Sequence, residues 1–394
     1  MAAGRRRWRA LLEAPHGLGF GAAAIVLACA CLWWFAWLLA RAAGIVWPWP
    51  WAVAAGLAHG LLFGFGFMPL FFAGFLFTAG PKWLRVAALP ARALRLPVAA
   101  QVLGWFVFLA GVHRQAGLAA FGLALAASAW LVLVLRFTGL LRRSPAPDRL
   151  HLRLIAAASW LGGALQLLAA AALAAGRADL ARAALLFGLW GFVAPVFIAA
   201  LHRMLPVFDD DVAPRLAARS PHWLLAALVA LCLLQGVFAV IEPARALRIG
   251  VDGGAALLLG ALAARWLRLQ GGARLKLIVM LQAGIVWLAT AFALAALAQP
   301  RAAQHAFTAG FLATTMVAMV TRVASAQAGR SIAADGPAWA LFVVLQVAVL
   351  LRVAAALYGE PAGLLAAAAA LFALAMLGWA GRLLVWLGRS RAHK

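Results

Sequence analysis

Apolar runs of about 20 residues recur along the whole chain and constrain its fold more than any other feature. Each run is bounded by proline, glycine or charge, and each is long enough to cross a bilayer as a helix. Of the 394 residues, 67% are hydrophobic and only 11% are charged, which excludes an ordinary soluble globular protein. The sequence therefore predicts an all-α polytopic membrane bundle of about twelve helices, at 18–40, 52–79, 97–113, 116–137, 153–175, 180–201, 222–241, 250–268, 275–297, 303–325, 337–357 and 362–386.

No segment between these runs is long enough for a separate domain, so residues 1–394 are expected to form one transmembrane domain. A faint internal symmetry is present, because the first and seventh helices open with the same dipeptide, Pro15-His16 and Pro221-His222. This match suggests two halves of six helices, 15–208 and 221–387.

Positive charge is distributed unevenly between the two sides of the predicted bundle. With a cytoplasmic N-terminus, 26 of the 34 Lys and Arg residues fall on the cytoplasmic side, and both termini are cytoplasmic. We therefore attribute the net charge of +24 to basic residues that orient the protein in a lipid bilayer. The sequence contains no nucleic-acid-binding motif. The eight basic residues on the outer side are Arg41, Arg114, Arg177, Arg182, Arg245, Arg248, Arg301 and Arg352.

The acidic residues are predicted to avoid the membrane. All ten, including Asp252, fall in loops or at the ends of the predicted helices. Proton pumps and proton-coupled transporters usually carry carboxylates within their spans. Because no carboxylate is predicted within the spans of this chain, the sequence favours neither a proton pump nor a proton-coupled transporter.

The histidines are the candidate functional residues. His59 lies within the second helix, in the stretch HGLLFGFGFMPLFFAGFLFTAGPKW, and His305 begins the tenth helix; both open the pattern H-x-x-x-x-G-F. An intramembrane imidazole is a functional candidate by default, and two imidazoles from different helices can hold haem iron. His59, His305 and His113 are predicted on the outer side, and His16, His151, His202 and His222 on the inner side.

Each candidate also has a structural interpretation. The glycines beside His59 can form a packing seam between helices, and interfacial histidines commonly contact lipid headgroups. Arg203 and Arg322 lie near cytoplasmic helix ends, where they are expected to extend towards the headgroups or, if haem is bound, to pair with a propionate.

Three segments resemble the NnrS family, polytopic haem- and copper-containing proteins of the bacterial response to nitric oxide. They are the His59 stretch through Trp83, the run HRMLPVF from His202, and HAFTAGFLATTMVAMVTRVASAQAGR from His305. The resemblance covers most of the chain. It implies a multi-pass protein of the bacterial inner membrane that protects against nitrosative stress.

The resemblance implies haem b bound through His59 and His305 or His113, with His202 and His16 as candidates for an inner site, and His59, His305 and His202 as metal ligands. Copper is less well supported. Leu57 and Gly60 stand where the family pattern leads us to expect His and Glu, and Gln282 and Gln327 stand where it leads us to expect His.

Two alternatives remain open from the residues alone. One is a haem-free permease or channel with a histidine-lined path, in which Pro69 and Pro195 would break helices. The other is a structural assembly factor without a ligand. In every case no catalytic residue is assigned, and binding is favoured over catalysis.

Overall fold

A computed structural model of the protein describes residues 11–204, 221–269, 276–329 and 335–388. These residues form twelve long helices and no β-strand, as predicted. By length and composition, eleven of the described helices can cross a membrane, and α7 is shorter. The helices are α1 Pro15–Ala42, α2 Ala55–Leu76, α3 Ala91–Gly111, α4 Ala116–Arg142, α5 Leu150–Ala174, α6 Ala178–Met204, α7 His222–Phe238, α8 Arg245–Leu269, α9 Lys276–Ala296, α10 Pro300–Gln327, α11 Gly336–Leu357 and α12 Ala362–Leu387.

The prediction of an all-α polytopic bundle is confirmed. We keep the sequence-based orientation and call the end at which α2 begins the outer end. The predicted boundaries at 208 and 275 lie outside the described residues. The possible division into two halves stays a prediction.

The start of α3 was predicted six residues too late, at Pro97. The helix begins directly after Pro90, whose extended backbone serves as its N-cap. The guanidinium of Arg95 donates to the backbone carbonyl of Leu12 at 3.0 and 3.2 Å, which ties this first part of α3 to the chain before α1. The helix is continuous through Pro97, which is buried within it.

The predicted absence of carboxylates from the spans is wrong at Asp252. Helix α8 begins at Arg245, five residues before the predicted start, so Asp252 lies about 10 Å along the helix and is completely buried. The side-chain amide of Gln235 on α7 donates to Asp252 Oδ1. Arg248, one turn earlier on α8, places a guanidinium nitrogen 3.8 Å from Oδ2. These two partners let a carboxylate occupy the bundle interior.

Helices α2, α6 and α10 form the centre of the bundle. In their apolar windows 83%, 89% and 83% of the residues are buried, against 22–56% in the other spans of the described chain. The three helices contact one another, and the other described helices surround them, some in direct contact and others, such as α3 and α8, through neighbouring outer helices. The central helices thus recur every fourth helix along the chain.

Each central helix contains a π-helical segment near the middle of its length. The segments are Leu62–Gly66 in α2, Leu189–Val193 in α6 and Ala306–Ala313 in α10. Short π-helical segments within α-helices often mark functional positions, because they redirect side chains. His59 and His305 both lie just before such a segment.

Gly122 permits a close backbone contact between two helices of the outer layer. A Cβ atom at this position would lie 2.3 Å from the backbone nitrogen of Phe108, so α3 and α4 meet backbone to backbone. Close approach through small residues is a usual basis of helix association in lipid.

Candidate functional site

A cavity of about 1150 Å³ opens at the outer end of the bundle. Its walls come from α1, α2, α6, α9, α10, α11 and α12, with further residues from α7 and α8. Its size slightly exceeds the 300–1,000 Å³ that is typical of cofactor sites. We call it the outer cavity.

His59 contributes an imidazole to the wall of the outer cavity. The ring stacks on the indole of Trp34 from α1, with centroids 4.0 Å apart and planes 11° apart, and it contacts Phe63 one turn further along α2. These aromatic contacts fix the ring, but the buried Nδ1 atom has no hydrogen-bond partner within the part of the chain that the structure describes. A buried polar atom without a partner is costly, so its presence at a cavity indicates a ligand site.

The glycines near His59 contribute to packing as well as to the cavity. Gly60 and Gly64 line the outer cavity, yet a Cβ atom on either would meet Leu185 or Leu189 of α6 at 2.6 to 3.1 Å. The small residues therefore bring α2 and α6 together, as the structural interpretation of the sequence expected.

His305 lies on the wall of the same cavity, on α10. Its Nδ1 is 2.9 Å from the backbone carbonyl oxygen of Arg301, so the nitrogen carries the proton and donates. This bond leaves the Nε2 lone pair available and fixes the ring orientation, as is usual for metal-binding histidines.

Five arginines also line the outer cavity, although the sequence analysis assigned no role to them as a group. They are Arg41, Arg182, Arg248, Arg301 and Arg352, which make up five of the eight basic residues predicted on the outer side. Only two acidic residues, Glu242 and Glu360, share the lining. These arginines lie on the outer side, where the positive-inside rule leads us to expect few basic residues. That departure from the rule was the signal in the sequence that could have identified them as candidate site residues.

His113 is not part of the outer cavity. Trp33 Nε1 donates to its Nε2 at 2.8 Å, and its Nδ1 is 3.1 Å from the carbonyl oxygen of Pro50. Its ring also packs against Trp51, with the ring centroids 4.5 Å apart. Because both ring nitrogens are used, the structure does not support His113 as a partner of His59 in metal binding.

Three histidines meet at the inner end of the bundle. His151 Nε2 lies 2.9 Å from His202 Nδ1, and the ring of His222 lies 5.8 Å from that of His151 and 6.4 Å from that of His202. The sequence placed all three on the same side but did not predict that they meet. His16, the second residue of α1, is not one of these three rings.

Arg203 adjoins the histidine cluster through an ion pair. Its guanidinium donates to Asp148 at 2.9 Å and lies over the ring of Trp83, 5.8 Å from the centroid. The backbone N–H of Leu150, followed by Arg203, lowers the pKa of the Asp148 carboxyl. Arg203 thus has a structural partner, and Arg322 lies half-buried in the last part of α10.

The described part of the chain offers few groups of side chains that could bind a metal ion together. Within it, no group of three or more His, Cys, Asp or Glu side chains is arranged to hold a metal ion. Gln282 is buried in α9, and Gln327 is the last residue of α10.

The fold and the cavity define a polytopic helical membrane protein with a histidine- and arginine-lined site at one end of its three central helices. Residues 10–391 match the family model described as NnrS protein. The chain therefore belongs to the NnrS family. No curated protein matches it.

Proposed function

We propose that this protein binds haem b in the outer cavity through His59 and His305 and protects the cell against nitrosative stress. The observation that carries this proposal is that two of the three central helices, α2 and α10, each place one imidazole on the wall of the same large cavity. Imidazoles from facing helices are a common way for a helical bundle to hold haem.

The residues of the outer cavity fit haem. His59 has a buried ring nitrogen that no described residue contacts by a hydrogen bond, and His305 is oriented by the Arg301 carbonyl. Phe63, Phe67 and Trp190 supply aromatic surface for an apolar macrocycle. When bound, haem iron would supply the capacity to bind nitric oxide or to transfer an electron.

Copper, which the family resemblance implies, is less well accommodated. Copper sites generally use several His, Cys or Met ligands, and no described group of three or more His, Cys, Asp or Glu side chains has the required arrangement. The proposal therefore includes haem alone.

The permease alternative predicts helices broken near the membrane midplane, with free backbone ends that bind a substrate. Helices α2, α6 and α10 instead remain helical through their π segments, and Phe67 after the first segment keeps helical backbone angles. This continuity favours a fixed cofactor site. We place the protein in the bacterial inner membrane, because its described spans and family membership are consistent with that location.

Absorption spectra of the purified protein, expressed with added iron, test the proposal. Wild type should show a haem Soret band with the spectrum of a six-coordinate low-spin iron. His59→Ala and His305→Ala should each lose this spectrum and most of the haem, while His113→Ala should retain it. A wild-type protein without a Soret band would overturn haem binding.

The protective role needs a separate test. A strain that lacks the gene should grow more slowly with a nitric oxide donor, and wild type but not His59→Ala should restore growth. Equal rescue by both, at equal protein levels, would contradict the link between the haem site and protection.

A further inference from the structure

The side chain of Arg352 is held in the outer cavity with part of its hydrogen-bonding capacity unused. One guanidinium nitrogen, Nη2, donates to Glu360 Oε1 at 3.1 Å. The other, Nη1, is buried and has no hydrogen-bond partner among the described residues. The side chain is 20% exposed, so this N–H group has little access to water. A buried cationic donor without an acceptor indicates that an anionic group belongs beside it.

The charges around Arg352 also leave an acceptor missing. Glu360 is shared, because its Oε2 accepts from Arg301 at 3.2 Å while its Oε1 accepts from Arg352. One carboxylate thus serves two guanidinium groups, and one positive charge is left over. Over the described cavity lining, five arginines face two glutamates, and even with Asp252 beside Arg248 a surplus of positive charge remains.

Arg352 lies at the depth of the two imidazoles. It is five residues from the outer end of α11, and His305 is five residues from the outer start of α10, so both are about 7 Å from the outer helix ends. His59, four residues from the start of α2, is about 6 Å from its outer end. Arg41, Arg182 and Arg301 are exposed, so Arg352 is better shielded from solvent than these three.

From this arrangement we propose that Arg352 is a haem-propionate ligand, which donates through Nη1 and holds a propionate at the α11 wall of the outer cavity. Arginine suits this role because its planar fork donates to two acceptors at once, here Glu360 and a propionate. The inference rests on the proposed haem site and adds a determinant of haem orientation and affinity.

Reconstitution of the apoprotein with two forms of haem tests the inference. The first is iron protoporphyrin IX, and the second is its dimethyl ester, in which both propionates are neutral. Dissociation constants are measured from Soret titrations of wild type, Arg352→Gln and the control Arg114→Gln, whose exposed side chain lies on the outer side but does not line the cavity.

Arg352→Gln should weaken binding of the free-acid haem by roughly 10- to 100-fold, as expected for the loss of a hydrogen bond to a charged group. Wild type should bind the ester more weakly by a similar factor. Arg352→Gln should bind the ester as wild type does, and Arg114→Gln should behave as wild type with both haems.

Two results would overturn the inference. The variant could bind free-acid haem as wild type does, or it could lose the same factor with both haems, which would indicate a structural role. If Arg352→Gln does not fold, equal binding of both haems by wild type would refute the role of the carboxylates. Failure of wild type to bind either haem would instead refute the proposed function.

Discussion

The buried carboxylate of Asp252 provides a quantitative test of how this bundle holds charge. Its Oδ1 accepts from Gln235. Its Oδ2 accepts no hydrogen bond from any described residue, and the nearest guanidinium nitrogen of Arg248 is 3.8 Å away. Asp252→Asn keeps an acceptor for Gln235 and removes the charge. Asp252→Leu removes both.

The magnitudes follow from these contacts. At 3.8 Å and an effective dielectric constant of about 20, the attraction between Asp252 and Arg248 is about 4 kcal/mol. Removal of a carboxylate from water costs several kcal/mol, which offsets this attraction. Asp252→Asn should therefore change the unfolding free energy by less than about 1 kcal/mol. Asp252→Leu should destabilise by about 1–3 kcal/mol, because the buried Gln235 amide loses its acceptor.

Unfolding of the purified protein by titration with sodium dodecyl sulfate, followed by circular dichroism, measures both variants. Glu242→Gln serves as the control, because it neutralises an exposed carboxylate at the cavity. A loss of more than about 3 kcal/mol in Asp252→Asn would refute the reasoning, since the ion pair would then contribute far more than its desolvation costs.

Three further predictions concern packing, an outer-side hydrogen bond and pH. Gly122→Ala should destabilise by about 1–3 kcal/mol in the same assay, because the new Cβ would lie 2.3 Å from the backbone nitrogen of Phe108, whereas Gly139→Ala on the same helix meets open space and should be neutral. His113→Ala should cost about 1–3 kcal/mol, since a tryptophan N–H loses its acceptor. Asp148 has a lowered pKa, so its stabilising contribution is present above the unfolded pKa of about 3.9 and is lost as the pH falls through the folded pKa. Melting temperatures from about pH 6 down to pH 2 should therefore fall less in Asp148→Asn than in wild type, and identical pH profiles would contradict this.

The positions of the helices could be predicted closely because the bilayer imposes their length and composition. The errors arose where polar residues continue a helix. Arg95 precedes Pro97 in α3, and Arg248 precedes Asp252 in α8. In both cases a hydrogen bond to a distant part of the chain stabilises the first turns of the helix. The sequence alone assigns these residues to a loop.

The candidate site was only partly predictable. The shared pattern around His59 and His305 singled out these two residues, but it could not show that they line one cavity. Nor could it separate them from His113, whose ring nitrogens bond to Trp33 and Pro50. The inner cluster of His151, His202 and His222 joins three helices, and no spacing in the sequence encodes that meeting.

By itself, the sequence determined that this protein is an all-α, multi-pass membrane bundle, because apolar segments of this length have no stable alternative to membrane helices. The tertiary structure decided which helices lie at the centre and which polar side chains they bring together. Helices α2, α6 and α10 have mean hydropathies of 1.6, 2.2 and 1.4, against 1.5–2.4 in the other described spans, so local composition does not distinguish them. Packing among distant helices selects them, and that packing forms the cavity in which His59, His305 and Arg352 lie.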